Sequence, residues 1–190
     1  MQRVMTRSKI VGLCGSFTPH SSASAAVAAV MAGVRAAGPE IVTETFEVRD
    51  LALPLYEWGT EPPGLAGWLE AVRSADGMVW CSPLYHGSIA GAFKNTLDWL
   101  EGMRGDDPPY LTGKVIALVA TAGGDQALQA INSMEYIVRS LRGWTLPLTA
   151  PISRSDAAFD DSGQPRDGAL ASRLHLIGQE LVSAVRSLKS

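Results

Sequence analysis

Residues 114–121, KVIALVAT, limit most sharply what this chain can fold into: everything from Val115 to Ala120 is apolar. A strand with no polar face must be covered on both sides, which is the setting of a central strand in a parallel sheet. Four more strand-like runs accompany it, at residues 9–14 (KIVGLC), 41–48 (IVTETFEV), 77–81 (GMVWC) and 144–150 (WTLPLTA). The second alternates apolar with polar, as a half-exposed strand near an edge does. Between the strands lie helix-like segments at 22–37, 65–73, 88–103, 125–141 and 169–188. Residues 54–64, 104–113 and 155–168 are too rich in turn-formers or polar residues to be elements.

Strands that alternate with helices imply right-handed crossovers and a parallel sheet with helices on both faces. No repeat or linker interrupts the pattern, so the expectation is one domain over residues 1–190. With 46% hydrophobic and 18% charged residues the chain is globular. A net charge of -3 is too near balance to draw in nucleic acid or an anionic membrane. The start is basic, but its apolar run ends at Gly15 and Ser16, too short for a secretory segment, and no later stretch could span a bilayer. The expectation is a cytoplasmic protein. Cys14 and Cys81 have no metal-ligand or redox spacing and read as reduced core thiols.

In sheets of this kind ligands bind beyond the carboxyl ends of the strands. Three loops there stand out. The first, GSFTPHSSAS, carries hydroxyls at Ser16, Thr18, Ser21, Ser22 and Ser24 and opens a helix whose first N–H groups lack partners. A single serine N-cap would explain one of them; five in nine residues suit a phosphate dianion. His20 either assists that anion or is a solvated loop residue. The P-loop and G-x-G-x-x-G patterns are both missing.

In the second loop, SPLYHGS, Pro83 lacks an N–H, Tyr85 offers a flat face, Gly87 permits close backbone approach and Ser88 can cap a helix. The helix that follows has two stripes. Ile89, Phe93, Leu97 and Leu100 suffice to cover a sheet, and Ala92, Thr96, Trp99 and Met103 are free either for a second subunit or for a broad buried arc. The third loop, TAGGDQ, has a glycine pair and Asp125 as a candidate cap; alone it reads equally well as a plain strand-to-helix turn. No serine–histidine–acid set appears, and GLCGSF does not fit a nucleophile elbow. His175 reads as structural or surface.

SPLYHGSIAGAFKNTLDWL resembles the S-P-x-Y-x-G-S-x-x-G-x-x-K-N-x-L-D-W-L signature of the NADPH-dependent FMN reductase family. GSFTPHSSAS, LVATAGG and AFDDSG extend the resemblance over nearly the whole chain. It implies an α/β flavodoxin-like three-layer sandwich, with a five-stranded parallel sheet in order 2-1-3-4-5. It places FMN phosphate on Ser16, Thr18, Ser21, Ser22, Ser24 and the Ala23 N–H. The isoalloxazine falls against Pro83, Leu84, Tyr85, His86, Gly87 and Ser88. Thr121, Ala122, Gly123, Gly124 and Asp125 complete the site. The chain departs from the pattern twice: no arginine stands near Thr18, and P-L-Y-H replaces P-E-Y-N at residues 83–86.

The resemblance implies hydride transfer from NADPH or NADH to FMN, then electron transfer to free flavin, a quinone or another small-molecule acceptor. No protein acid or base is expected. The same family packs the 88–103 helix against a second subunit, so a homodimer or homotetramer is expected, with neither nucleic acid nor membrane as partner. Two other readings stand beside this one: a flavodoxin-like carrier without a nicotinamide site, and a protein that keeps the fold and acts through subunit contacts alone.

Overall fold

The apolar run at residues 115–121 becomes fully buried sheet interior. The computed structural model describes residues 7–189; residues 1–6, part of the basic start, lie outside the described residues. In chain order the strands are β1 (Lys9–Cys14), β2 (Val42–Glu47), β3 (Gly77–Tyr85), β4 (Ser88–Ile89), β5 (Val115–Thr121), β6 (Trp144–Thr145) and β7 (Ala150–Ile152). The helices are α1 (Ser22–Ala37), α2 (Val48–Leu51), α3 (Leu65–Ser74), α4 (Gly91–Asp98), α5 (Leu128–Ser140) and α6 (Gly168–Lys189). A 3-10 turn, Trp99–Met103, continues α4, and another, Ser155–Ala157, follows β7.

The parallel ladder runs β2-β1-β3-β5, with β6 and β7 both pairing along the far edge of β5. This is the flavodoxin-like order, with the fifth strand split in two. The single strand expected at 144–150 breaks because Pro147 has no N–H for the ladder, which an edge strand tolerates. Its second piece extends to Ile152.

Alternation along each strand sorts the side chains into two cores. Ile10, Cys14, Val79, Cys81, Ala117 and Val119 face α1 and α6. Val11, Leu13, Met78, Trp80, Ile116 and Leu118 face α3, α4 and α5.

Two expected helices start later than their sequence suggested. Ser88 is strand, not an N-cap: Tyr85 pairs with Ser88 and Leu84 with Ile89 in a hairpin. His86 (φ 50°) and Gly87 (φ 84°) form its two-residue turn, the pair of positive φ values that matches hairpin twist. The Ala90 N–H then bonds to the Pro83 carbonyl at 3.1 Å and the Ser82 Oγ at 3.0 Å, which fixes where α4 begins. Likewise α5 begins at Leu128, and Asp125 caps nothing; it forks onto Arg154 at 3.0 and 3.2 Å.

The second stripe of the 88–103 segment is not a free surface. Thr96, Trp99 and Met103 are buried within the chain. The loop at 54–64 folds over them: the Trp99 Nε1–H donates to the Pro54 carbonyl at 3.1 Å, and Tyr56 meets the indole edge-on at 5.1 Å. The stripe is the broad buried arc, since loop and helix bury one another.

Candidate active site

The carboxyl ends of β1, β3 and β5 open into a cleft of about 320 Å³, within the range of small-molecule sites. Its floor is the first loop. Ser16 is buried and lines the cleft, and its Oγ accepts the Thr18 N–H at 3.1 Å, which leaves its own proton to donate. Ser21 is the N-cap of α1, accepting the Ser24 N–H at 3.1 Å. The N–H groups of Ser22 and Ala23 belong to the first helical turn, where no intrahelical acceptor exists. Both residues line the cleft. Ser22 is tied down by its Oγ, which donates to the Ser155 carbonyl at 3.0 Å.

Ser24, expected at the phosphate, turns the other way. Its Oγ lies 3.0 Å from the Ser21 Oγ and 3.4 Å from the Cys14 Sγ, between α1 and the sheet. As the third residue of α1 it points its side chain toward Cys14 on β1 and away from the cleft. Burial pushes the Cys14 thiol up, and the Cys81 thiol well up. Both therefore lie beneath the loops as neutral thiols.

Pro83, Leu84 and Tyr85 form one wall, with Tyr85 56% exposed. His86, Gly87 and Ser88 do not line this cleft; they make the hairpin turn and its return strand. Thr121, Ala122 and Gly123 form the opposite wall. Gly124 and Asp125 lie outside it: the Gly124 carbonyl accepts the Arg154 N–H at 3.1 Å, and Asp125 holds the Arg154 side chain.

The structure adds three lining residues to those expected: His20, Ser155 and Asp156. His20 had been left open between anion and solvent. Ser155 and Asp156 were missed because the last strand was ended at residue 150. Extending it to Ile152 makes them a fourth strand-end loop, held by Ser155 N–H to Ala122 O at 2.9 Å. Among the lining residues His20 is the one side chain able to carry positive charge and Asp156 the one carboxylate. The donor set fits a phosphate monoester: a buried hydroxyl, a helix mouth and a histidine, without an arginine. The flat walls beside it suit a planar ring.

The family model described as NADPH-dependent FMN reductase matches residues 8–156. NADPH-dependent FMN reductase ArsH of Acidithiobacillus ferrooxidans is 35% identical over 140 residues, which cover 74% of this chain and 58% of that protein. The match thus spans less than two thirds of that relative's length. The FMN-dependent NADPH-azoreductase of Staphylococcus aureus is 30% identical over 157 residues, covering 78% of this chain and 80% of that one. A solved oxidoreductase structure from Corynebacterium diphtheriae superposes with a TM-score of 0.75 at 21% identity, over 95% of this chain and 98% of that one. With a family model matched over most of its length, the chain belongs to the NADPH-dependent FMN reductase family.

Proposed function

We propose that this chain binds FMN in the carboxyl-end cleft and acts as an NAD(P)H-dependent oxidoreductase on a small electron acceptor, such as free flavin or a quinone. The observation that carries this reading is the first loop. Ser16, the cap at Ser21 and the free N–H groups of Ser22 and Ala23 converge on one spot at the mouth of α1. Membership of the family supports the same assignment.

Redox chemistry, hydride acceptance from nicotinamide and electron delivery onward, is supplied by FMN when it is bound. The chain's own part is binding and orientation. Ser16 and the first turn of α1 hold the phosphate, and His20 adds a donor at the rim. Pro83, Leu84 and Tyr85 present the apolar and aromatic surface for the ring. Asp156 is placed as an acceptor for hydroxyl groups rather than for phosphate, since a carboxylate repels a dianion. The walls are prearranged, because the loop bearing Asp156 is bonded to both α1 and the third loop. Such preorganisation lowers the cost of ordering on binding.

We read the protein as cytoplasmic and as a homodimer or homotetramer. Among the described residues no helix is long and apolar enough to cross a membrane.

The test is the absorption spectrum of the purified protein with FMN added, followed by anaerobic titration with NADPH. A bound flavin spectrum that bleaches stoichiometrically supports the enzyme. A bound flavin that NADPH and NADH leave oxidised points instead to an electron carrier. Failure to retain any flavin overturns the assignment of the cleft.

A further inference from the structure

The carboxyl-end cleft offers an anion little fixed positive charge. Ser16, Thr18, Ser21, Ser22 and Ala23 line its phosphate end, and none of them is ionisable in the neutral range. Neither lysine nor arginine lines the cleft, while Asp156 does and repels an anion. A phosphate dianion there has two sources of counter-charge: the mouth of α1, worth about half a positive charge, and His20.

His20 stands directly before Ser21, the N-cap of α1, at φ 51°. That left-handed conformation is uncommon for a residue with a side chain, although histidine is among those enriched in it. Strained backbone of this kind clusters at ligand clamps. The side chain is exposed, and among the described residues it has neither a hydrogen-bond nor an ion-pair partner. Its charge, once present, is therefore uncompensated until an anion arrives.

The charged and titratable groups around it leave that role open. Asp156 and Tyr85 share the cleft, and Asp156 does not come within ion-pair distance of the imidazole. Cys14, beneath the loop, is a neutral thiol. Next to it at the end of β2, Glu47 and Asp50 both pair with Arg49. On the third and fourth loops Asp125 and Arg154 neutralise one another at 3.0 Å. The turn whose Gly163 lies against Ala25 of α1 carries Asp160 and Asp161; the Asp160 Oδ1 accepts from the Ser162 Oγ and the Gln164 N–H. Arg166, just after that turn, donates to the Phe159 carbonyl at 3.0 Å.

We propose, in an inference that rests on FMN occupying this cleft, that His20 makes flavin binding proton-linked: its imidazole takes up one proton from solvent as the phosphate seats, and the imidazolium becomes the counter-charge of the phosphate. Histidine is the side chain whose charge ordinarily changes between pH 5 and 8, and an anion beside it favours the charged form. The complex then holds more protons than its separated parts, so FMN affinity falls as pH rises. Riboflavin, without the phosphate, gains nothing from the proton.

Fluorescence titration of FMN and riboflavin at pH 6.5 and 8.5 tests this with two variants. His20→Asn keeps a donor on a residue that accepts the backbone conformation, but cannot become charged. His20→Lys stays charged at both pH values. The FMN dissociation constant of His20→Asn is expected to exceed that of the wild type about fivefold at pH 6.5 and to lie within about twofold of it at pH 8.5. The ratio of His20→Lys to His20→Asn is expected to be the same at both. These ratios cancel the titration of the phosphate itself. Near pH 7, calorimetry in buffers of different ionisation heat is expected to count more protons taken up per FMN by the wild type than by His20→Asn. Riboflavin is expected to bind wild type and variants alike. Coincident pH profiles of wild type and His20→Asn, equal proton counts, or the same change for riboflavin overturns the proposal while the flavin assignment stands. A wild type that binds no FMN at either pH overturns both.

Discussion

Cys14 and Cys81 stand directly opposite one another on β1 and β3, both fully buried and both facing α1 and α6. The only two cysteines, with α1, β2, α2 and α3 between them in sequence, lie at the end of β1 and in the middle of β3, the strands that carry the first and second loops. Burial raises both thiols above the ordinary cysteine value. The thiolate is the nucleophile, so a raised, buried thiol is inert. In the native protein near pH 8, Ellman's reagent is expected to react with these thiols only as fast as the fold opens, and with both promptly in denaturant. Prompt reaction of either thiol in the native state would show that the sheet beneath the first or second loop is open to solvent.

The same burial predicts a pH dependence of stability. Both thiols are protonated in folded and unfolded chains below the ordinary thiol value of 9.0, so their contribution is fully present there. Above it the unfolded chain ionises first and holds fewer protons than the native one. Stability then falls by about 1.4 kcal/mol per pH unit for each thiol, until pH passes the folded values. Denaturant unfolding between pH 8 and 10 checks this against the double variant Cys14→Ala/Cys81→Ala. The variant's stability is expected to fall less steeply; identical slopes would refute the linkage.

Ser16 supplies the one buried hydroxyl on the cleft floor. Hydrogen bonds to charged groups are worth about 1.5–3 kcal/mol. Ser16→Ala is therefore expected to weaken FMN by about one to two decades. Riboflavin, which lacks the phosphate, is expected to lose much less. Fluorescence titration of both flavins checks this; equal losses would mean that Ser16 shapes the loop and does not hold the phosphate.

Trp99 is held inside the chain by Pro54 and Tyr56. Trp99→Ala is expected to cost about 3–5 kcal/mol through the cavity it leaves. The loss should appear in denaturant unfolding at protein concentrations where the oligomeric state does not change. A loss that appears only on dilution would place this side chain at a subunit interface instead.

The hairpin turn distinguishes its two residues. Gly87 sits at φ 84°, and an added Cβ would lie 3.3 Å from the Gln129 Oε1. Gly87→Ala is expected to cost about 1–2 kcal/mol from the left-handed conformation alone. His86→Asn, at φ 50°, is expected to be neutral or slightly stabilising, because Asn tolerates that region. Neither residue lines the cleft, so FMN affinity should stay within about a factor of ten, or 1.4 kcal/mol. Thermal unfolding and flavin titration of the two variants check the pair.

The parallel sheet and its covering layers were legible in the chain itself, while the strand order came from the resemblance of residues 82–100 to the family signature. An apolar run such as residues 115–121 can be satisfied only by cover on both faces, and strand–helix alternation leaves little choice of topology. The three loops to inspect, and the helix mouth at Ser21–Ala23, followed from those strand ends. Other features depended on atoms distant in sequence. Ser88 reads as a cap until the Ala90 N–H is seen to bond the Pro83 carbonyl and the Ser82 hydroxyl, which makes it strand. The resemblance puts Ser24 at the phosphate, whereas in the structure its Oγ lies beside the Ser21 Oγ and the Cys14 Sγ. Trp99 is a free stripe on an isolated helix and a buried anchor once the 54–64 loop lies over it. Asp156 reaches the cleft only because β7 pairs with β5 as far as Ile152. Local preference and periodicity act through neighbours in sequence, so they place elements and their ends to within a turn. Which side chain faces a cleft is settled by long-range hydrogen bonds and packing, and those exist only once the sheet has closed.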